Sequence, residues 1–177
     1  EALIFFLTLS PEIKQKADNL DLAYYIGLCY ARLTRYDEAL AYLEQVVTSG
    51  EDVERINQCR LVLSVIYSMT GRTKMAEYEL QKLLETGYKT ASVFSGLAYV
   101  AWEQKNVNLS IEYYEKALAI DKENPTALNG LGYVLACSDK DLTKALFLCK
   151  KAVDYYPESA AFLDSLGWVY HKLGLEK

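Results

Sequence analysis

The sequence contains one histidine, His171, which lies seven residues after an acidic residue, Asp164. In a helix this spacing puts both side chains on one face, where an imidazole and a carboxylate could together move a proton. The sequence places no nucleophile beside them, and it contains no glycine-rich phosphate loop, no G-x-S-x-G motif and no H-E-x-x-H motif. We therefore predict no enzymatic activity and no catalytic residues, and we expect His171 to serve in recognition.

Cysteine is the other residue type that could carry chemistry. The four cysteines lie in separate stretches, without the C-x2-C spacing of a zinc site or a disulfide framework: Cys29, Cys59, Cys137 and Cys149. Free cysteine is often a small apolar filler in protein interiors. We expect that role for all four, and we expect neither a metal nor a cofactor.

Composition narrows the class of partner. The formal net charge is -5, and lysine and arginine are scattered singly or in pairs such as Lys150-Lys151, whereas a nucleic-acid surface needs a basic stripe. The longest apolar run, near Ala2 to Leu9, is far shorter than the roughly 20 residues of a membrane span. We therefore expect a protein or peptide partner, no nucleic acid and no membrane span in this chain.

A repeated pair of amphipathic helices positions these residues. In the stretch 91–124, Phe94, Leu97, Ala98 and Ala101 share one helical face, and a second such face follows the polar break at 104–108. Small residues return 34 to 37 residues apart in both helices of the pair. In the first helix they are Gly27, Ser64, Ala98, Gly132 and Gly167, and in the second they are Ala2, Ala39, Ala76, Ser110 and Ala145.

This pattern resembles the tetratricopeptide repeats, whose period is about 34 and whose motif runs W-x2-L-G-x2-Y, then A-x3-F, then P. The first helix of the final repeat keeps this spacing with Leu163, Leu166, Gly167 and Tyr170. The opening tryptophan is absent throughout, and the second repeat has Arg60 in its place and Ser64 for the glycine. The resemblance implies an all-α, right-handed solenoid of stacked helix-turn-helix hairpins.

We expect a single array over residues 1–177, with helices near 20–33 and 36–48 in the first full repeat and a final helix near 159–173. Residues 1–16 should form the second helix of a truncated repeat, and 158–177 the first helix of a final one. The full repeats should span 20–50, 52–87, 91–124 and 125–157. We expect the chain to be part of a longer protein, with the alternative that the last helix is a natural polar cap.

The resemblance also implies that the first helices line a concave groove. The expected groove residues are Tyr24, Leu28, Leu61, Val65, Ser95, Tyr99, Trp102, Asn129, Tyr133, Asp164, Trp168 and His171. Among them we expect the aromatic residues Tyr99, Trp102, Tyr133 and Trp168 to anchor the partner, since rigid aromatics bury a large area at small entropic cost. For each tyrosine taken singly, packing between helices is the alternative.

These features predict a non-catalytic scaffold that binds a peptide or helical segment of a partner protein. The alternative is an assembly module that acts through its ends or its convex face, with self-association through the terminal half-repeats. The stretch 131–173 resembles a bacterial subgroup of the family with many exported or membrane-anchored members. Localisation stays open between a bacterial cell envelope and the cytoplasm, because unpaired cysteines favour a reducing compartment.

Overall fold

The computed structural model describes residues 1–8 and 19–175. Within these residues the chain forms ten α-helices and no strand, so the all-α prediction is confirmed. In chain order they are α1 (Ala2–Thr8), α2 (Asn19–Arg32), α3 (Tyr36–Ser49), α4 (Val53–Met69), α5 (Thr73–Glu85), α6 (Ala91–Glu103), α7 (Val107–Ile120), α8 (Pro125–Cys137), α9 (Leu142–Tyr155) and α10 (Ala160–Lys172). Of the segment expected to be the first half-repeat, 9–16 lie outside the described residues.

The helices divide into two compact units, Glu1–Tyr88 with α1 to α5 and Lys89–Lys177 with α6 to α10. In the first unit each helix contacts the next, and α2 also contacts α4. The second unit repeats this arrangement, with α6 contacting α8 and α8 contacting α10. The first helices of successive pairs therefore lie side by side within each unit. The prediction of one array over the whole chain, with its repeat boundaries, stays a prediction.

At several of the recurring small residues two neighbouring helices come close together, with Gly167 as an exception. A Cβ atom added to Gly27 would lie 2.8 Å from Leu43 Cδ2, and one added to Gly132 would lie 2.5 Å from Cys149 Sγ. Of the corresponding residues of the second helices, Ala39, Ala76, Ser110 and Ala145 have no exposed surface, whereas Ala2 is exposed. A larger side chain at any of these contacts would push two helices apart.

The four hairpins end their first helix with the same left-handed turn. The second residue after the helix has a positive φ, of 57° at Thr34, 73° at Gly71, 63° at Lys105 and 52° at Asp139. The N–H of the following residue then donates to a carbonyl in the last turn, as from Arg72 to Tyr67 and from Lys140 to Leu135. This is the Schellman arrangement, which satisfies carbonyls that a helix end leaves unpaired.

Several helices begin directly after a polar residue whose side chain caps the first turn. Asp52, Thr90, Asn106 and Asn124 each precede a helix and accept a hydrogen bond from a backbone N–H in its first turn. Pro125 then occupies the first turn of α8, where its missing N–H costs nothing. These caps fix where α6 and α8 begin, and so fix which of their residues lie next to each other.

Candidate functional site

A row of aromatic side chains crosses the adjacent helices α6, α8 and α10 of the second unit. Trp102 of α6 meets Tyr133 of α8 edge to face, with ring centroids 6.0 Å apart and planes at 77°. Tyr133 also lines a hollow of about 490 Å³ together with Trp168, which lies on α10. Tyr99 lies one turn before Trp102 on α6. We call Tyr99, Trp102, Tyr133 and Trp168 the aromatic row.

The packing of the repeat explains why three of these rings remain accessible. Tyr99, Tyr133 and Trp168 each follow the small residue of the first helix, and one step along a helix turns the side chain about 100° away from that packed position. Tyr99 and Trp168 are both 40% exposed, and Tyr133 is half-buried. The fold therefore leaves part of each ring open to a partner.

Carboxylates lie beside the tyrosines of the row. Burial raises the pKa of the Tyr99 hydroxyl, and the charge of Glu103 raises it further. The pKa of Tyr133 is raised first by its hydrogen bond with Cys137, then by burial, and also by the charge of Asp164. At neutral pH both hydroxyls are protonated; that of Tyr133 is engaged with Cys137, while that of Tyr99 can donate a hydrogen bond.

Trp168 carries two further neighbours on its own helix. The His171 ring lies tilted against it at 5.2 Å between centroids, and Lys172 Nζ lies 5.9 Å from the indole centroid. Lys172 also forms an ion pair of 2.5 Å with Asp139, in the turn that follows α8. Lys172 therefore ties α10 to that turn and supports Trp168 from one side.

Two polar residues of the predicted groove, Ser95 and Asn129, occupy equivalent positions on α6 and α8. Ser95 is 5% exposed, and Asn129 is half-buried. Ser95 Oγ and Asn129 Oδ1 are buried, and neither has a hydrogen-bond partner among the described residues. Asn129 keeps some accessible surface beside the aromatic row, whereas Ser95 is closed off by its neighbours.

In the first unit the predicted residues have a different character. Tyr24 is 9% exposed, and its hydroxyl donates a hydrogen bond to Gln58 Oε1 of α4. Leu28 and Leu61 are half-buried, and Val65 is 56% exposed. Tyr24 thus joins two helices. A chain of aromatic contacts in the first unit runs between α1 and α2, from Phe5 to Phe6, Tyr25 and Tyr24.

A second hollow, of about 460 Å³, lies in the first unit between the N-terminal ends of α2 and α4 and the end of α3. Its Arg55 side chain makes ion pairs with both Asp21 and Asp52. Arg55 is therefore already paired, while Glu51 adds a third carboxylate to the lining, so the lining carries more negative than positive charge.

One residue near the row lies outside the predicted groove set: Tyr114 of α7, which the repeat pattern predicts to pack between helices. Its side chain is 5% exposed, and its ring fills the space that Gly130 leaves, because a Cβ on Gly130 would lie 2.3 Å from Tyr114 Cζ. The pKa of Tyr114 is raised by burial first and by its neighbour Tyr99 second. The glycine pair of the stretch Asn129-Gly130-Leu131-Gly132 was the available signal, since only the second glycine fits the repeat pattern.

Other kinds of site find little support in the described part of the chain. Within it, no group of three or more histidine, cysteine or acidic residues is arranged to hold a metal ion. None of the helices described is both long and apolar enough to cross a membrane.

Two tetratricopeptide repeat family models match the sequence, one over residues 21–49 and one over 95–160. The chain is 32% identical over 121 residues to the type IV pilus assembly protein PilF of Pseudomonas aeruginosa. This match covers 68% of the chain and 47% of PilF, so the chain spans about half the length of that relative.

Solved structures agree on the fold. The crystal structure of YrrB, a tetratricopeptide repeat protein with an unusual peptide-binding site, covers all of this chain and 86% of its own at 16% identity, with a TM-score of 0.63. MamA gives a TM-score of 0.64 at 19% identity, over 88% of this chain and 83% of its own. The Cut9–Hcn1 assembly of the APC/C gives 0.77 at 19% identity, over 88% of this chain and 30% of its own.

These matches confirm the predicted class of stacked helical hairpins. The two matched stretches lie in different units, and together they cover more than half of the sequence. The chain belongs to the tetratricopeptide repeat family.

Proposed function

We propose that the chain is a non-catalytic scaffold that binds a peptide or helical segment of a partner protein along the aromatic row of its second unit. The observation that carries this proposal is that the row spans three successive first helices, with Trp102 and Tyr133 in ring contact and 40% of both Tyr99 and Trp168 exposed. Proteins with this fold are protein-interaction scaffolds, and the structural relative YrrB is described as having a peptide-binding site. Contiguous exposed aromatics mark interaction surfaces.

The chemistry of the row suits such a role. Edge-to-face contact between Trp102 and Tyr133 holds two rings in place, so little side-chain entropy remains to be lost on binding. Tyr99 adds a hydroxyl donor, and Asn129 and Asp164 offer polar groups that could set the orientation of a partner. His171 packs on Trp168 and completes the polar edge of the hollow.

Affinity capture from an extract of the source cell tests the proposal. The bait is the chain itself, compared with a variant that carries Tyr99→Ala, Tyr133→Ala and Trp168→Ala. Circular dichroism first establishes that both baits are equally helical. We expect a partner that the wild type retains and the variant loses, and a partner retained equally by both would contradict the proposal.

A second candidate is an assembly module that works through the terminal helices or the outer face. In α1, Ile4 is 66% and Phe5 61% exposed, and Phe147 on α9 is 65% exposed. The name of PilF connects that relative with pilus assembly, which is compatible with a part in building a cell-surface structure. Light scattering should then show concentration-dependent oligomers that disappear when Ile4 and Phe5 are changed to serine.

A further inference from the structure

The hollow between α8 and α10 is a distinct part of the proposed binding surface. Tyr133 and Trp168 form aromatic walls, and Leu163, Asp164, Gly167 and His171 complete the lining. A Cβ added to Gly167 would have no atom within 4 Å, so the glycine borders open space. The hollow of about 490 Å³ has room for a long side chain of a partner.

The charge of the lining indicates which kind of partner side chain the hollow would bind. Asp164 is exposed, and no lysine or arginine of the described residues lies within ion-pair distance of its carboxylate. On the same helix, Lys172 lies near the ring of Trp168, but its charge is already paired with that of Asp139. The pKa of Tyr133 is raised mainly by its hydrogen bond with Cys137 and by burial, and the charge of Asp164 adds to this rise, as a negative potential at this wall would.

An acidic side chain would be repelled by Asp164, and an apolar one would gain nothing from its carboxylate. A guanidinium or ammonium group would meet the carboxylate and could lie against an aromatic face, which attracts cations. Arginine fits best, because its planar group pairs with a carboxylate and stacks on aromatic rings at the same time.

We infer that this hollow binds an arginine or lysine side chain of the partner segment, with Asp164 as its ion-pair acceptor and Tyr133 and Trp168 as its aromatic walls. The inference rests on the proposed function, because it names the residue that the same surface selects. The partner segment would then carry at least one basic residue at a fixed distance from the apolar residues that contact Tyr99 and Trp102.

A library of random dodecapeptides displayed on phage tests this choice. Peptides are selected on the wild-type chain and competed with the Tyr99→Ala, Trp168→Ala variant, so that only binders of the row are kept. We expect arginine or lysine at one fixed position of the selected peptides. Fluorescence anisotropy with the best labelled peptide then gives its Kd.

The charge itself is isolated by a matched pair of substitutions. The peptide arginine is replaced by citrulline, which has nearly the same shape without the charge, and Asp164 is replaced by Asn. Each change alone should weaken binding about three- to tenfold, and the two together should cost little more than one alone, because they remove the same interaction. High salt should narrow the difference between the arginine and citrulline peptides.

Substitution of Gly167 by leucine provides a second variant, which fills the hollow without altering any charge. It should weaken binding of the arginine peptide as strongly as Asp164→Asn does, while the chain stays folded.

The outcomes separate the two claims. The basic-residue inference would be overturned if the selected peptides need the row but carry no basic residue. It would also be overturned if replacing arginine with citrulline leaves their binding unchanged. Either result would leave the proposed function in place. A failure to obtain any peptide that depends on Tyr99 and Trp168 would overturn both.

Discussion

Gly132 and Gly167 occupy the same position of the repeat and yet have opposite surroundings. Around Gly132 the second helix of the hairpin is close, with Cys149 Sγ 2.5 Å and the Ala145 carbonyl 3.0 Å from where a Cβ would lie. Around Gly167 nothing lies within 4 Å. The same residue type therefore serves close packing at one position and borders an open hollow at the other.

Alanine at the two glycines should shift stability in opposite directions. Gly167→Ala should raise the free energy of unfolding by up to about 1 kcal/mol, because glycine is unfavourable inside a helix and the new methyl meets no atom. Gly132→Ala should lower it by about 1 to 3 kcal/mol through overpacking against Cys149. Urea unfolding followed by circular dichroism measures both, and a destabilised Gly167→Ala variant would contradict the description of the hollow.

The buried thiols should make stability fall at alkaline pH. Burial raises the pKa of Cys59 and of Cys149 from 9.0 to about 12. Between pH 9 and pH 12 the unfolded chain loses these protons while the folded chain keeps them, so the stability present below pH 9 is progressively lost. Between pH 9 and pH 12 the free energy of unfolding should fall less steeply with pH in the Cys59→Ala, Cys149→Ala variant than in the wild type. Equal slopes for the two proteins would refute this prediction.

At the scale of elements, the helix pairs depend on one kind of turn, although only one of the four turns carries the residue best suited to it. Gly71 adopts its φ of 73° freely, whereas Thr34 at 57° is a β-branched residue in the left-handed region. Repeated backbone hydrogen bonds hold Thr34, Lys105 and Asp139 in the same conformation as the glycine. The hairpin geometry thus overrides local preference in three of the four turns.

Exchange of glycine and non-glycine residues at two turns should reveal this strain. Thr34→Gly should stabilise the chain by about 0.5 to 1 kcal/mol, because it relieves a left-handed conformation that costs roughly 1 to 2 kcal/mol. Gly71→Ala is the matched control and should destabilise by about 1 kcal/mol, since its Cβ would meet no atom within 4 Å and only the φ angle opposes it. Thermal unfolding that moves the two variants in the same direction would exclude this explanation.

A buried ion pair joins the two helices of one hairpin in the first unit. Arg60 of α4 bonds Glu79 of α5 at 2.6 Å, with 17% and 11% of their side chains exposed. Arg60→Met should destabilise the chain by about 3 kcal/mol, because it leaves a buried carboxylate without a partner, while Arg60→Met with Glu79→Leu should recover most of the loss. Chemical denaturation checks this, and a double variant as weak as the single one would argue against the explanation.

At the scale of the whole molecule, the sequence predicted the helices better than their contacts. The helix expected near 20–33 lies at Asn19–Arg32, and the final helix expected near 159–173 lies at Ala160–Lys172. Apolar periodicity and small residues at a fixed spacing are enough for this, because each helix must bury one face. The two compact units and the left-handed turns at Thr34, Lys105 and Asp139 follow from packing that no local signal encodes.

The candidate site shows the same division. The spacing of the small residues predicted that Tyr99, Tyr133 and Trp168 share a register, and in the structure these residues lie on adjacent helices of one unit. It could not show that Gln58 accepts a hydrogen bond from Tyr24, or that Tyr114 extends from α7 to Gly130. Both depend on the contact between helices that are distant in sequence, and contact with a partner stays a prediction for every residue of the site.

Site-specific photo-crosslinking tests the central claim most directly. The crosslinker p-benzoylphenylalanine is placed at position 99, at position 168, or at Phe147, which is 65% exposed on another helix of the same unit and serves as control. Illumination in an extract of the source cell should link positions 99 and 168 to one and the same protein and leave position 147 unlinked to it. A partner that crosslinks to position 147 and to neither row position would contradict binding along the aromatic row.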